Sequence, residues 1–271
     1  EFVDWTGDIA YIDDPNSETA VLTMPAADVA LTANFQLIDY NISIVVYPVG
    51  AGSVTGDGVY NMGDNVNLQA IEDNVDYEFL NWRKDGFPVS PDNPYNFTML
   101  PHDIEFTAYF KPFGASVYYL TLEAVHSTGG TVYGAGEYLN DEEIAVSAEV
   151  NDGFVFVNWT DEDGDVVSTE MNFTYTITAD ATLTANFVKI LTLDGLTASN
   201  KVYDGNTVAV VTGATLNGVL AGDVVSLANH TVGTFEQATV GTNISVTTAM
   251  TLSGADAANY LLEQPAGLTA D

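Results

Sequence analysis

The sequence contains no cysteine, and only five lysine and arginine residues stand against 38 aspartates and glutamates. Without thiols there are no disulfide staples, thiolate zinc ligands or cysteine nucleophiles, so each folded unit must be held by its own apolar core. A formal net charge of −33 repels phosphate backbones and anionic lipid headgroups. It argues against nucleic acid or a membrane surface as a partner. No apolar run approaches the roughly 18 residues of a membrane helix, and no signal-peptide pattern opens the chain, so no membrane insertion is expected in this segment.

A catalytic constellation is missing too. His102, His126 and His230 lie far apart in sequence, without partners at metal-ligand or triad spacing. Carboxylates are so numerous that pairs of them say nothing about acid–base catalysis. Gly134-Ala135-Gly136 has no helix pattern after it and does not read as a phosphate loop. No catalytic residue and no organic cofactor is expected, and the chain does not read as an enzyme.

What is present is a repeat with a core. Apolar residues make up 46% and aromatics 11% of the 271 positions, which suits folded domains and not a disordered tail. Phe2-Val3-Asp4-Trp5, Phe79-Leu80-Asn81-Trp82 and Phe156-Val157-Asn158-Trp159 are one motif in three copies. Each copy closes alike, with Leu31-Thr32-Ala33-Asn34-Phe35, Phe106-Thr107-Ala108-Tyr109-Phe110 and Leu183-Thr184-Ala185-Asn186-Phe187. Asp28, Asp103 and Asp180 precede Phe35, Phe110 and Phe187 at one fixed distance. Upstream, Gly52-Ser53-Val54 and Tyr60 correspond to Gly130-Thr131-Val132 and Tyr138.

Apolar and polar residues alternate through Ile104–Phe110, Leu183–Phe187, Asn41–Tyr47 and Asn65–Ile71, the period of half-buried strands rich in Thr, Val, Tyr and Phe. Glycine- and aspartate-rich turns separate them. The spacing predicts no long helix, only a short helical turn near Pro101-His102-Asp103. Trp5, Trp82 and Trp159 are expected in cores or at repeat-to-repeat contacts, not as sugar platforms. From Lys189 the vocabulary changes to glycine, threonine and short strands. The expected domains are 1–37, the C-terminal part of a repeat; 38–112 and 113–188, complete repeats; and 189–271, a separate all-β module. The chain opens inside a repeat without an initiator Met, so it reads as a fragment of a longer protein. The 1–37 unit should expose a sheet edge.

Asp161, Asp163 and Asp165, with Gly164 between them, are the candidate metal ligands, because alternating carboxylates suit calcium. Against this, a full binding loop is absent and the repeat needs only a turn here. Calcium is the only cofactor considered. Of Lys84, Lys111, Lys189 and Lys201, only Lys189 and Lys201 fall near an apolar strand, and a Lys–Asn isopeptide bond is not expected.

The unit built from Gly-x-Val, Phe-x-Asn-Trp, Thr23-Met24-Pro25-Ala26-Ala27-Asp28 and the closing Leu-Thr-Ala-Asn-Phe resembles the divergent internalin-type B-repeat. Thr176-Ile177-Thr178-Ala179-Asp180 departs from it by losing the proline. The C-terminal segment, through Tyr203-Asp204-Gly205 and Ser253-Gly254-Ala255-Asp256-Ala257-Ala258-Asn259-Tyr260, resembles the YDG-type adhesin repeat. These resemblances imply a mainly β chain of tandem small modules, β-grasp-like in the B-repeats and all-β in the C-terminal unit. They also imply an extracellular or bacterial cell-surface setting and a structural stalk, filament or adhesin-spacer role. Expected partners are neighbouring repeats of the same protein, including self-association in a filament, and a surface glycan or protein. The alternatives are a glycan- or protein-binding adhesin module, with Tyr118, Tyr119 and Tyr138 as exposed aromatics, or accessory modules of a secreted hydrolase.

Overall fold

Strand alternation and glycine turns organise the whole chain, which a computed structural model describes from Glu1 to Asp271. Two units separate, Glu1–Ser116 and Val117–Asp271. In the first, β1 (Phe2–Gly7) and β2 (Leu31–Phe35) pair antiparallel as a sheet of two strands. No residue before Ile42 is buried.

Eight further strands of this unit form a complete repeat: β3 (Asp39–Tyr47), β4 (Ser53–Thr55), β5 (Gly58–Asn61), β6 (Asn65–Ile71), β7 (Tyr77–Lys84), β8 (Phe87–Ser90), β9 (Tyr95–Thr98) and β10 (Ile104–Pro112). They build a mixed sheet in the order β5-β3-β10-β7-β8 and a second, antiparallel sheet β4-β6-β9. The first and last strands, β3 and β10, lie parallel at the centre. In β6, Val66, Leu68 and Ala70 turn inward while Asn65, Asn67 and Gln69 face solvent, the two-residue period of a half-buried strand. Those three residues meet Ile42, Trp82, Phe106 and Phe110 of the mixed sheet in one core. Burial of this apolar face against a second sheet is what stabilises the repeat.

The second unit repeats the plan. Its strands are β11 (Val117–Ala124), β12 (Gly130–Tyr133), β13 (Gly136–Leu139), β14 (Glu143–Val150), β15 (Phe154–Thr160), β16 (Val166–Ser168), β17 (Asn172–Thr176) and β18 (Ala181–Asp194). The mixed sheet runs β13-β11-β18-β15-β16, with β11 parallel to β18, and β12-β14-β17 covers it. In both repeats a second sheet, and not a helix, packs against the mixed sheet. Pro101-His102-Asp103 is a bend and not the helical turn expected from sequence. Only five residues join β9 to β10, Met99 among them is buried, and its amide is bonded to the Asp64 carbonyl, so the link must cross directly between sheets.

The rest of the second unit is β19 (Thr197–Ala198), β20 (Val208–Thr212), β21 (Thr215–Asn217), β22 (Ser226–Ala228), β23 (Val232–Phe235), β24 (Ile244–Thr248), β25 (Thr251–Ser253), β26 (Tyr260–Leu262) and β27 (Thr269–Ala270). The sheet β19-β20-β23-β24-β27 holds a small core around Val211, Phe235, Val246 and Met250. β18 does not stop where the repeat ends. Its last residues pair antiparallel with β21, and Lys189, Ile190 and Leu191 pair in parallel with Tyr260, Leu261 and Leu262 of β26. One strand of 14 residues thus belongs to both folds.

The Phe-x-Asx-Trp motif poses a problem for a flat strand, in which residues three apart face opposite sides. A β-bulge resolves it in all three copies. Phe79 pairs with Phe110 and Asn81 with Tyr109, leaving Leu80 extra; Val157 and Val3 are skipped in the same way. One extra residue rotates the strand, so that Phe and Trp share a face. Their ring centroids lie 5.7, 5.3 and 6.0 Å apart in the three copies.

Candidate functional site

Each letter of the repeat signature has a structural partner. Trp82 and Trp159 are 0% exposed, Phe110 and Phe187 are 1% exposed, and none of the four is available as a sugar platform. The indole N–H of Trp5, Trp82 and Trp159 donates to the carbonyls of Ser17 (3.0 Å), Asp92 (3.1 Å) and Met171 (3.2 Å), so the buried polar atom is satisfied each time. Gly52 and Gly130 are glycine because the closing Phe lies on them: a Cβ there would stand 2.5 Å from the Phe110 ring or 2.6 Å from that of Phe187. The hydroxyls of Tyr60 and Tyr138 donate to the carbonyls of Gly56 (2.9 Å) and Gly134 (2.8 Å), closing the turn between the short strands. On the outer face, Asn34 Nδ2 donates to Asp4 (2.7 Å) and Asn186 Nδ2 to Asn158 (2.8 Å). In the middle repeat Tyr109 replaces that asparagine, and the Arg83 guanidinium stacks 3.6 Å from its ring centre.

The exposed tyrosine cluster that the adhesin-module alternative would use does not form. Tyr138 is buried and Tyr118 packs against the same core. They are paired across β11 and β13, so both point inward and only Tyr119 faces out. The three histidines do not meet, and no group of three or more His, Asp or Glu side chains gathers at a spacing that would hold a metal ion. Asp161, Asp163 and Asp165 form a turn in which Asp161 Oδ1 accepts the backbone amides of Asp163 (3.1 Å) and Asp165 (2.9 Å). That carboxylate is occupied by its own backbone, the habit of aspartate in tight turns.

One concave feature stands out, at Tyr203-Asp204-Gly205. Lys201 Nζ sits in a ring of oxygens: Asp204 Oδ1 at 2.7 Å, Asn206 Oδ1 at 2.5 Å, and the carbonyls of Val208 (3.0 Å) and Asn206 (3.2 Å). Asp204 in turn accepts from the Asn206 amide at 3.1 Å and its side chain at 2.8 Å. Gly205 supplies the left-handed turn, at φ +77°. The Tyr203 ring is left 65% exposed, beside an open cavity of about 180 Å³ lined also by Asn206, Gln237, Thr239 and Asp271. Sequence reading named the motif but missed the cavity, because Gln237 and Thr239 arrive from a distant turn and Asp271 from the end of β27.

The same cluster bears on Lys–Asn cross-linking. The Lys201–Asn206 contact is solvent-exposed, and Nζ is already held by four oxygens of Asp204, Asn206 and Val208, so no apolar pocket isolates the pair for amide formation. The intact protein should therefore weigh what its sequence dictates. A mass lower by one ammonia, mapped by peptide sequencing to Lys201 and Asn206, would overturn this.

The Lys201 hydrogen bond, helped by the Asn206 amide, holds the Asp204 carboxyl below its ordinary range. The folded loop thus prefers the carboxylate. Its contribution is present above the usual aspartate pKa and is lost as pH falls through the depressed folded value. Protection of the Asn206 and Val208 amides, relative to their intrinsic exchange rates, should fall on acidification through that window, and Asp204→Asn should abolish that change. High salt should weaken the effect, since the pair is partly exposed. Elsewhere in the module, Asp256 Oδ2 accepts the Val224 amide (2.8 Å), and the Tyr260 hydroxyl donates to Asp223 (2.5 Å) while accepting the Leu220 amide (3.0 Å). These bonds tie the Ser253–Tyr260 motif to the glycine turn at Ala221-Gly222-Asp223.

The divergent InlB B-repeat domain matches residues 1–39, 42–114 and 120–191, and the YDG domain matches residues 188–267. No curated protein matches the chain. Among solved structures, the Bacillus anthracis TIE protein is similar at 9% identity with a TM-score of 0.20, a likeness too loose to carry an argument. It covers 91% of this chain, which spans about half (51%) of that one. No helix is long and apolar enough to cross a membrane. With its signature residues placed on shared sheet and bulge positions copy by copy, the chain belongs to the divergent InlB B-repeat family and carries a YDG domain after its last repeat.

Proposed function

We propose that this chain is a non-enzymatic segment of a large extracellular or cell-surface bacterial repeat protein, where it works as a stalk or spacer. The observation that carries this reading is β18, one strand hydrogen-bonded into both the last B-repeat and the YDG module. A shared strand makes the joint stiff, where a flexible linker would leave beads on a string. The consensus residues support it as well, since they serve internal cores and turns and leave no reactive constellation. A net charge of −33 keeps such an array soluble and discourages aggregation through its sheet edges.

Electron microscopy of the protein with residues 38–112 duplicated tests the spacer role. Particle length should grow by a constant increment, and antibodies against the chain should label unpermeabilised cells. Particles that stay the same length, or labelling only after lysis, would sink the reading. A second reading rests on the YDG cavity. An exposed tyrosine ring next to amides and carboxylates suits a neutral sugar, which would make this module the adhesive one. Glycan-array binding that is lost in Tyr203→Ala would favour it.

A further inference from the structure

Asp103 and Asp180 are exposed and belong to neither core, and their partners show what they hold. Asp103 Oδ1 accepts the amide of Asn41 (2.7 Å), and Asp180 Oδ1 accepts that of Tyr119 (2.8 Å). Each bond joins the last strand of a repeat to its first, one residue before the two begin to pair. The ladders that follow are parallel, Ile42–Tyr47 against Ile104–Tyr109 and Leu120–Ala124 against Ala181–Ala185.

This topology fixes how tension travels through a repeat. The chain enters at the start of one paired strand and leaves along the other, so pulling on the two ends slides the strands past each other. Parallel bonds are evenly spaced, and in that direction they share the load instead of opening in turn. Neither strand is an edge that could peel away: β3 is also bonded to β5 and β10 to β7, as β11 is to β13 and β18 to β15. On the inner face Ile42, Ile104, Phe106 and Ala108, and likewise Leu120, Leu183 and Ala185, are buried under the second sheet. Water is kept from that side of the ladder, where the low local dielectric strengthens each bond. The aspartate stands at the end where tension enters the first strand.

We propose that the paired first and last strands of each complete repeat form a shear clamp, with Asp103 or Asp180 as its lock, and that the repeats thereby bear tension along the chain. The purpose of the clamp rests on the stalk reading, but its existence is a property of the fold. Rupture force can fail to depend on pulling direction while particle length still grows with an added repeat, and the reverse.

Without native cysteine, single-molecule handles can be placed at chosen points of the full chain. Leu37→Cys with Phe113→Cys, both at exposed positions, pulls the middle repeat in shear. Val49→Cys with Phe113→Cys grips the same end of both strands and unzips them. Rupture in shear should release about 25 nm of chain. It should need at least about twofold more force than unzipping, because the evenly spaced bonds fail together. A charge-assisted bond counts for roughly two neutral ones, so Asp103→Ala should lower the shear force by about a quarter. The unzipping force is set at the far end of the ladder and should not change. Glu105→Ala removes the same charge from the exposed face of β10 and should alter neither force. Equal forces in the two directions would overturn the clamp. An Asp103→Ala loss that is absent in shear, equal in both directions or matched by Glu105→Ala would overturn the lock.

Discussion

Trp159→Ala should lower the unfolding free energy of the third repeat by about 3–5 kcal/mol, whereas Trp5→Ala should cost about 1 kcal/mol. The side chains are chemically equivalent members of one motif, with the same bulge behind them and the same kind of carbonyl accepting the indole N–H. Their surroundings differ. Trp159 is enclosed by Phe156, Phe173 and Phe187 on faces drawn from two sheets. Removing it leaves a cavity that close-packed neighbours refill only in part, and it takes one of two donors from the Met171 carbonyl, which keeps the Ala148 amide. Trp5 lies over a single pair of strands with Phe2 at its side and Phe35 packed on Phe2. Hydrogen exchange at the amides of β14 and β18, compared with those of β1 and β2, reads both sites in one protein. Equal losses would mean that the N-terminal strands are as well covered as the complete repeats.

Leu191→Ala is the second large effect, about 2–5 kcal/mol. Leu191 is fully buried in β18, paired with Leu262, and its carbonyl accepts the Glu263 amide. It sits where the strand has left the B-repeat sheet and entered the YDG module. The variant should shift exchange protection in the third repeat and in the C-terminal module together, because both are built on the same hydrogen-bonded strand. Leu261→Ala is the control. That side chain, one residue along β26, points to solvent and should change stability by no more than about 0.5 kcal/mol. If Leu191→Ala loosens only one of the two folds, β18 is a passive connection, and the stiffness that supports a stalk must come from elsewhere.

Both effects concern residues whose type was plain in the sequence and whose surroundings were not. Aromatic and β-branched alternation, the repeat of Phe-x-Asx-Trp and Leu-Thr-Ala-Asn-Phe, and the change of composition near Lys189 identify strands, tandem units and a distinct C-terminal module. Such signals are local: a two-residue period or a turn glycine can be read within ten residues. The candidate site was legible only as a motif, Tyr203-Asp204-Gly205. The residues that give it a cavity come from elsewhere in the module.

Tertiary structure decided the rest. The sequence by itself determined that Phe79 and Trp82 belong to one strand; only pairing against β10, with Leu80 left over, decided that they face the same core. It determined that Gly52 and Phe110 recur, but not that the ring lies on the glycine. It marked Tyr138 as a repeat position, and register with Tyr118 placed it inside. It suggested a module boundary at residue 188, and hydrogen bonds from β21 and β26 carried one strand across that point. Each of these outcomes depends on which distant strand supplies the neighbour, and a one-residue change of register would turn every side chain of the strand to the other face. Local chemistry sets the pattern along each strand, and long-range pairing selects which side of it is buried.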